Sequence, residues 1–185
     1  MFKGFTFWLM GVPSSGKTTL ASAVRKEFEL AHLDSDEMRK FLIPCPMFAQ
    51  GEREFVYRSM IYTCHQLNKN GINVIISATA NLEKYRELAN EMLTNLKLIH
   101  IECAIEVCEK RDDKMLYKKS REGLITTVPI KIIGQNDEHI NKHYKEVDVF
   151  EFPKKVDLSI DTAILELAES TSVLREYIKR TLAIC

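Results

Sequence analysis

Residues 11–18 combine the residue types and the spacing of a phosphate-binding loop. They read Gly-Val-Pro-Ser-Ser-Gly-Lys-Thr and directly follow an apolar run. The two glycines let the backbone turn tightly, so that successive N–H groups point at the phosphates of a nucleotide. Lys17 is expected to reach the β- and γ-phosphates, and the Thr18 hydroxyl to bind Mg²⁺. We therefore predict a site for a nucleoside triphosphate at Gly11, Ser14, Ser15, Gly16, Lys17, Thr18 and Thr19.

A second group of reactive side chains comes after the next apolar stretch. Asp34 and Asp36 are two residues apart, and Arg39 follows one turn later. One carboxylate could accept a proton from an attacking hydroxyl while the arginine holds a phosphate or sulfate oxygen. The alternative is structural: an aspartate N-cap opens a helix, and Arg39 is merely solvated. The residues alone leave both interpretations open.

Further cations occur in the helical segments that follow. Arg53 and Arg58 are candidates for anion binding, although each also suits an ordinary surface charge. A dense basic run precedes a long loop, and it suits either a solvated helix face or a lid that closes over phosphates. That run contains Lys114, Lys118, Lys119 and Arg121.

His139 and His143 have the i, i+4 spacing with which a helix can bind a metal. The residue after the first histidine is Ile140, where a zinc-protease helix carries its general-base glutamate. The sequence also offers no evident third ligand. The pattern therefore argues against a metal site at these histidines.

Strand-like and helix-like segments alternate along the chain and have to position these groups. We predict strands at residues 5–10, 31–34, 72–78, 96–102 and 156–160. We predict helices at residues 19–28, 36–42, 51–68, 82–93, 105–121 and 163–183. In the third helix, Phe55, Ile61 and Leu67 are expected to be buried. Residues 122–150 lack clear periodicity and are predicted to form a long mobile loop.

This alternation predicts an α/β fold with a mainly parallel sheet. Parallel strands joined by right-handed helical crossovers give a three-layer α/β/α sandwich of the P-loop NTPase type. We expect one domain, residues 1–185, with a mobile lid at about residues 114–150. Ligands of such sheets bind beyond the carboxyl ends of the strands. The phosphate loop, residues 34–36 and residues 77–81 all fall there.

Composition limits the classes of partner. Acidic and basic residues are equal in number, so the 185-residue chain has zero formal charge and gives no indication of a nucleic-acid or membrane partner. No apolar run has the length that spans a bilayer, and the first strand leaves no room for a signal peptide. Five cysteines without a CxxC spacing suit reduced thiols. We expect a cytoplasmic protein that acts on a small molecule.

Three stretches together resemble the adenylylsulfate kinase (APS kinase) family. They are GVPSSGKTTLA at residues 11–21, LDSDEMR at 33–39 and VCEKRDDKMLYKKSREG at 107–123, of which the third is the most specific. The similarity covers most of residues 5–162. It implies transfer of the γ-phosphate of ATP to the ribose 3′-hydroxyl of adenosine 5′-phosphosulfate (APS). It also implies a homodimer.

The resemblance implies a role for each matching residue. Lys17, Asp34 and Asp36 would be catalytic, with Asp36 as the preferred base. Thr18 and Asp36 would hold Mg²⁺. The implied acceptor-binding residues are Asp34, Arg39, Phe48, Arg53, Lys114 and Lys118, among which Phe48 would lie against the acceptor's adenine.

Departures from the family pattern fall on the acceptor side. Val56 replaces an asparagine, Ala80 replaces a serine, and Val128 stands where a second aromatic ring is expected. The loop beyond residue 128 is also longer than the family norm. Loss of one aromatic wall removes on the order of 1–3 kcal/mol of base stacking. We therefore expect a different acceptor with a similar acidic tail, cytidine diphosphoramidate, which family members in capsule polysaccharide biosynthesis phosphorylate.

Other functions remain open at this stage. A genuine APS kinase is the first alternative. A kinase of an unrelated small alcohol is a second, and the match at residues 107–123 argues against it. A non-catalytic nucleotide-binding regulator is a third, although Asp34, Asp36 and Arg39 argue for turnover because a sensor needs no acceptor site.

Overall fold

A five-stranded parallel sheet forms the centre of the fold. The computed structural model describes residues 4–46, 50–125, 128–132 and 148–183. The strands of the central sheet are β1 (Thr6–Met10), β2 (Ala31–Asp34), β3 (Val74–Ser77), β4 (Leu96–Glu102) and β7 (Leu158–Asp161). Their order is β2-β3-β1-β4-β7, and every neighbouring pair is parallel. A separate small sheet pairs β5 (Pro129–Ile132) with β6 (Asp148–Phe150).

Helices cover both faces of the central sheet. They are α1 (Lys17–Val24), α2 (Ser35–Leu42), α3 (Gln50–Lys69), α4 (Glu83–Met92), α5 (Ile105–Lys110), α6 (Leu116–Arg121) and α7 (Leu167–Ala183). None of the helices in the described part of the chain is both long and apolar enough to cross a membrane. The predicted three-layer α/β/α architecture is confirmed.

Alternate residues of β1 supply the two halves of the core, as a strand covered on both faces requires. Trp8 and Met10 pack in one cluster with residues of α3 and α4. Phe7 and Leu9 pack in a second cluster with residues of α1 and α7. All four side chains are fully buried, and each large apolar side chain contributes about 1.5–3 kcal/mol. This strand is therefore a rigid support for the loop that follows it.

The predicted helix at residues 105–121 is two short helices. α5 ends at Lys110, α6 begins at Leu116, and Met115 between them has φ +55°. A left-handed conformation at a residue with a long side chain stops a helix and turns the chain. The turn places Lys114 at the connection between the two helices, beside the phosphate loop rather than along a helix face.

The predicted loop at residues 122–150 contains regular structure at both ends. β5 and β6 pair in parallel, with Pro129 opposite Asp148. Val128 and Phe150 join Tyr117 of α6 in a buried cluster with Val12 of the phosphate loop. These strands escaped prediction because each has only three or four residues and its partner is distant in sequence.

Of the three positions predicted to be buried in α3, Phe55 is the one that the structure contradicts. Ile61 is fully buried and Leu67 is half-buried, whereas Phe55 is 53% exposed. Val56 next to it is fully buried instead. The charged residues of this helix obscure its apolar period, so the sequence does not fix its rotation about its axis.

Candidate active site

The phosphate loop turns sharply between β1 and α1. Gly11 has φ +146° and Gly16 has φ +94°. A Cβ atom on Gly11 would lie 2.3 Å from the carbonyl oxygen of Ile101, so only glycine fits there. The loop leads into the N-terminus of α1, where the helix dipole favours negative charge. This local geometry is that of a phosphate-binding site.

The Lys17 ammonium group lies inside the loop. Its Nζ donates to the carbonyl oxygen of Val12 at 2.7 Å and to Ser15 Oγ at 3.3 Å, and the residue is 8% exposed. Burial lowers the pKa of Lys17 to about 8, because the charged form loses its hydration. A bound phosphate would favour the charged form again, so Lys17 is suited to hold an anion.

Asp34, the last residue of β2, is the most hydrogen-bonded carboxylate of the site. Its Oδ2 accepts from Thr18 Oγ1 at 2.8 Å and from Ser77 Oγ at 2.7 Å. Its Oδ1 accepts from the backbone N–H groups of Asp36 and Glu37 at 2.9 and 3.2 Å. Burial alone would raise the pKa of Asp34, but these hydrogen bonds outweigh burial and lower it. Asp34 is therefore both the N-cap of α2 and part of the phosphate site.

Thr18 and Asp34 offer the oxygen atoms that Mg²⁺ prefers. This cation takes one or two protein oxygens and completes its shell with water and phosphate oxygens, so the pair fits a phosphate-bound Mg²⁺. The sequence paired Thr18 with Asp36 for this role, whereas the structure places Asp34 on Thr18. The reason is position: Asp34 ends a strand at the sheet edge, and Asp36 is already inside α2. Among the described residues, no cluster of three His, Cys, Asp or Glu side chains could hold a metal.

Asp36 is paired with Lys114, 78 residues further along the chain. Both side chains remain accessible, with 40% and 60% of their surfaces exposed. Burial lowers the pKa of Lys114, but the hydrogen bond and charge of Asp36 raise it by more, so the net direction is upward. The structure thus brings together the predicted base and the predicted lid cation.

Two cavities meet at Asp36. The larger cavity has a volume of about 550 Å³ and extends from the phosphate loop to the start of α7. The smaller cavity, about 60 Å³, lies between α2, α3 and β5. Asp36 lines both, and so do Pro13, Ser35, Thr79 and Leu116. A group in either cavity can therefore approach the Asp36 carboxylate.

Arg39 and Arg53 both line the smaller cavity and are only 6% and 5% exposed. Arg39 Nη1 lies 4.0 Å from Glu52 Oε2, and Arg53 Nη1 lies 2.8 Å from Asp148 Oδ2. Burying a guanidinium group costs free energy unless the group is partnered. Two such groups at one cavity therefore favour a role for this cavity in anion binding. The structural alternative for Arg39, a solvated side chain, is wrong.

Several candidate residues lie elsewhere. Lys118 is exposed, pairs with Glu122 at 3.9 Å along α6, and lies outside the described lining of both cavities. Arg58 is exposed on α3. Phe48, His139 and His143 lie outside the described residues.

The structure adds Thr162 and Arg111 to the larger cavity. Thr162 Oγ1 donates to the carbonyl oxygen of Ser15 at 2.9 Å, and Arg111 Nη2 donates to the carbonyl oxygen of Thr162 at 2.9 Å. Thr162 follows β7, so it reaches the same sheet edge as the phosphate loop. The sequence could have indicated Thr162 as a site residue because it comes shortly after a predicted strand, and the carboxyl ends of parallel strands lie at a common edge of the sheet.

The residues that depart from the family pattern occupy different places. Val128 is 2% exposed and lines the smaller cavity together with Ile125. Val56 is fully buried in the core cluster of α3. Ala80 is buried with φ +49°, and its N–H donates to Tyr57 Oη at 3.0 Å. Of the three, Val128 is the one that forms a wall of the smaller cavity.

Comparison with known proteins agrees with this geometry. The family model described as adenylylsulphate kinase matches residues 3–147. A probable adenylyl-sulfate kinase of Pyrococcus abyssi is 35% identical over 128 residues, which cover 66% of this chain and 74% of the relative. An adenylyl-sulfate kinase of Halothermothrix orenii is 29% identical over 182 residues, covering 96% and 90% of the two chains.

A solved structure of the Mycobacterium tuberculosis APS kinase CysC, in complex with AMPPNP and APS, has the same fold. The TM-score is 0.74 at 23% identity, and the alignment covers 98% of each chain. The phosphate loop, the paired Asp36 and Lys114 and the two buried arginines thus occur in a chain that matches this family along most of its length. The chain belongs to the adenylylsulfate kinase family, whose members are ATP-dependent nucleotide kinases that transfer phosphate to a hydroxyl group.

Proposed function

We propose that this protein transfers the γ-phosphoryl group of ATP to a ribose hydroxyl, the 3′-hydroxyl, of a nucleotide with an acidic 5′ tail. The observation that supports it is the position of Asp36 on the border of the two cavities. The larger cavity contains the phosphate loop and suits the donor. The smaller cavity contains two buried arginines and suits an acidic tail.

The donor half relies on the phosphate loop. Its backbone and Lys17 hold the phosphates of ATP. When bound, Mg²⁺ neutralises charge on the β- and γ-phosphates, and Thr18 and Asp34 would hold it. Lys114 pairs with Asp36 in the free protein, and the γ-phosphate competes for the same ammonium group.

The acceptor half relies on Asp36, Arg39 and Arg53. The arginines hold the acidic tail, so that the ribose hydroxyl lies between the tail and the γ-phosphate. Asp36 accepts the hydroxyl proton as the oxygen attacks phosphorus. Catalysis is then mainly positioning and charge neutralisation, as in other phosphoryl transfers.

APS is the first candidate for the acceptor. The names of the relatives from Pyrococcus abyssi and Halothermothrix orenii support it. The expectation of cytidine diphosphoramidate, drawn from the sequence, receives no support from those names. APS kinase activity is therefore the better-supported alternative.

A cytidine nucleotide with a diphosphoramidate tail is the second candidate, with a place in capsule polysaccharide biosynthesis. The observation that favours it is the aliphatic wall of the smaller cavity, formed by Ile125 and Val128. An aliphatic wall offers less stacking energy to a purine than an aromatic ring does. A smaller pyrimidine loses less from that change.

The proposed function also includes the oligomeric state of the protein and its cellular compartment. We propose a homodimer that acts in the cytoplasm, where ATP is available. The described cysteines, Cys45, Cys64, Cys103 and Cys108, are all free thiols, which agrees with a reducing compartment. Light scattering after size-exclusion chromatography measures the subunit number, and a monomer at all concentrations would contradict the dimer.

The test is a coupled ADP-release assay with Mg·ATP and a panel of acceptors. The panel contains APS, cytidine diphosphoramidate, a nucleoside and a small non-nucleotide alcohol. We expect turnover with an acidic-tailed nucleotide, and mass spectrometry of the product should locate the phosphate on the ribose. Turnover only with the nucleoside or the alcohol would contradict the proposal.

A further inference from the structure

Asp148 places a carboxylate next to the cavity that we assign to the acceptor's tail, through its ion pair with a residue of the lining. Its Oδ2 lies 2.8 Å from Nη1 of Arg53, which is 95 residues away in sequence. Arg53 lines the smaller cavity, and so does Pro129, the register partner of Asp148 across β5 and β6. Asp148 therefore lies at the edge of the anion-binding end of this cavity.

The strand that carries Asp148 is anchored firmly. Asn81 Nδ2 donates to the carbonyl oxygen of Val149 at 2.9 Å, and the N–H of Glu151 donates to the carbonyl oxygen of Asn81 at 2.8 Å. Arg86, which is fully buried, donates to the carbonyl oxygen of Glu151 at 2.9 Å. These bonds attach β6 to the β3–α4 connection. They support a fixed position of the Asp148 carboxylate beside Arg53 when a ligand occupies the cavity.

Each of the two arginines of the smaller cavity has a carboxylate near it. Arg53 faces Asp148 at 2.8 Å, and Arg39 faces Glu52 at 4.0 Å. A sulfate group carries only acceptor oxygens, so it would gain from the arginines and be repelled by Asp148. A tail that ends in an N–H or O–H donor can bond to both kinds of group.

We propose that Asp148 is a specificity-determining residue that selects acceptors whose acidic tail ends in a hydrogen-bond donor, such as a phosphoramidate NH₂, over tails that end in sulfate. The proposal rests on the kinase function proposed above and favours its second candidate acceptor over APS. In it, Arg53 binds the anionic oxygens of the tail while Asp148 accepts from its terminal donor. A hydrogen bond to a charged group discriminates strongly, because a sulfate tail has no donor for the carboxylate and places an anion against it.

The test compares two tails on one nucleoside, so that the base does not contribute. Adenosine 5′-phosphosulfate is compared with the β-amidate of adenosine 5′-diphosphate, and the matching cytidine pair is assayed in parallel. We expect the full-length chain to show a kcat/KM at least about tenfold higher for the amidate. Equal values, or a preference for sulfate, would overturn the proposal. No turnover with any of the four nucleotides would instead contradict the proposed kinase function.

The variant Asp148→Asn adds the residue-specific test. The amide keeps the shape of the side chain and can donate to sulfate, so the amidate preference should fall at least about tenfold. The matched control is Glu54→Gln, a half-buried carboxylate next to Arg53 on α3 that pairs with Lys84 and is not among the described lining residues of either cavity, which should leave the preference unchanged. If Asp148→Asn changes kcat/KM for both tails by the same factor, Asp148 only orients or blocks Arg53, and the proposal is wrong. The wild-type comparison decides the question even if this variant does not fold.

Discussion

The Lys114 ammonium group is paired with the Asp36 carboxylate on the border between the two cavities. Lys114 belongs to the turn between α5 and α6, and Asp36 belongs to the first turn of α2. In the free protein the pair neutralises the residue that we propose as the base. In the proposed reaction, the γ-phosphate of ATP competes for Lys114, so that donor binding and release of the base would be linked.

Replacing Asp36 tests its role as the base. Asp36→Asn should lower kcat by at least about 100-fold, because the amide cannot accept the hydroxyl proton. ATP affinity should not fall, since the phosphate loop and Lys17 are intact and the substitution frees Lys114 for the phosphates. Steady-state kinetics with isothermal titration of ATP measure the two effects separately. Glu37→Gln, an exposed neighbour on α2, is the control. A kcat reduced by less than about 100-fold would remove Asp36 from this role.

The pH dependence of ATP binding tests the environment of Lys17. Burial lowers the pKa of Lys17 to about 8 in the free protein, whereas bound phosphates raise it. At pH values between these two pKa values, Lys17 is protonated in the complex but has lost its proton in the free protein. ATP binding therefore takes up a proton, and its Kd should rise as the pH increases above about 8, by up to about tenfold per pH unit. Calorimetry in buffers of different ionisation enthalpy counts that proton. A Kd that stays the same from about pH 7.5 to about pH 9.5 would contradict the lowered pKa of Lys17.

Arg53 and Arg58 lie on the same helix but in different environments. Arg53 is 5% exposed at the smaller cavity, and Arg58 is exposed. Arg53→Gln should raise KM for the acceptor by about 10- to 100-fold, with little effect on KM for ATP, because it removes a charged partner of the tail. Arg58→Gln should change neither constant by more than about twofold. Similar effects from both substitutions would mean that the smaller cavity is not the acceptor site.

Gly11 and Gly51 provide a matched pair for the phosphate loop. A Cβ atom on Gly11 would lie 2.3 Å from the carbonyl oxygen of Ile101, whereas one on Gly51 meets nothing within 4 Å. Gly11→Ala should lower the free energy of unfolding by about 1–3 kcal/mol and abolish ATP binding. Gly51→Ala, inside α3, should leave that free energy unchanged or raise it by up to about 1 kcal/mol. Chemical denaturation monitored by circular dichroism checks both, and equal stability of the two variants would contradict the close approach at Gly11.

The donor half of the site was predictable because its parts are consecutive in sequence. β1, the phosphate loop and the first turn of α1 follow one another, and the glycine spacing depends on local backbone geometry. The roles of Asp34 and Asp36 were harder to separate. Asp34 ends β2 and Asp36 comes two residues later, and only the hydrogen bonds of Asp34 in the structure show which carboxylate contacts Thr18.

The acceptor half depends on contacts between distant residues, which one sequence does not reveal. The pairing of Arg53 with Asp148 spans 95 residues, and that of Lys114 with Asp36 spans 78. The rotation of α3, which exposes Phe55 and buries Val56, depends on packing rather than on local propensity. The break at Met115 has no sequence signal, because methionine is an ordinary helix former.

Acceptor-dependent release of ADP is the most direct test of the central proposal, that donor and acceptor meet at Asp36. The rate of ADP release by the full-length chain is measured with Mg·ATP in the absence and presence of an acidic-tailed nucleotide, APS or cytidine diphosphoramidate. We predict that the nucleotide increases the rate at least about 100-fold and that one phosphorylated nucleotide forms for each ADP. ATP binding with the same slow ADP release in both conditions would contradict the proposal and indicate a nucleotide-binding regulator.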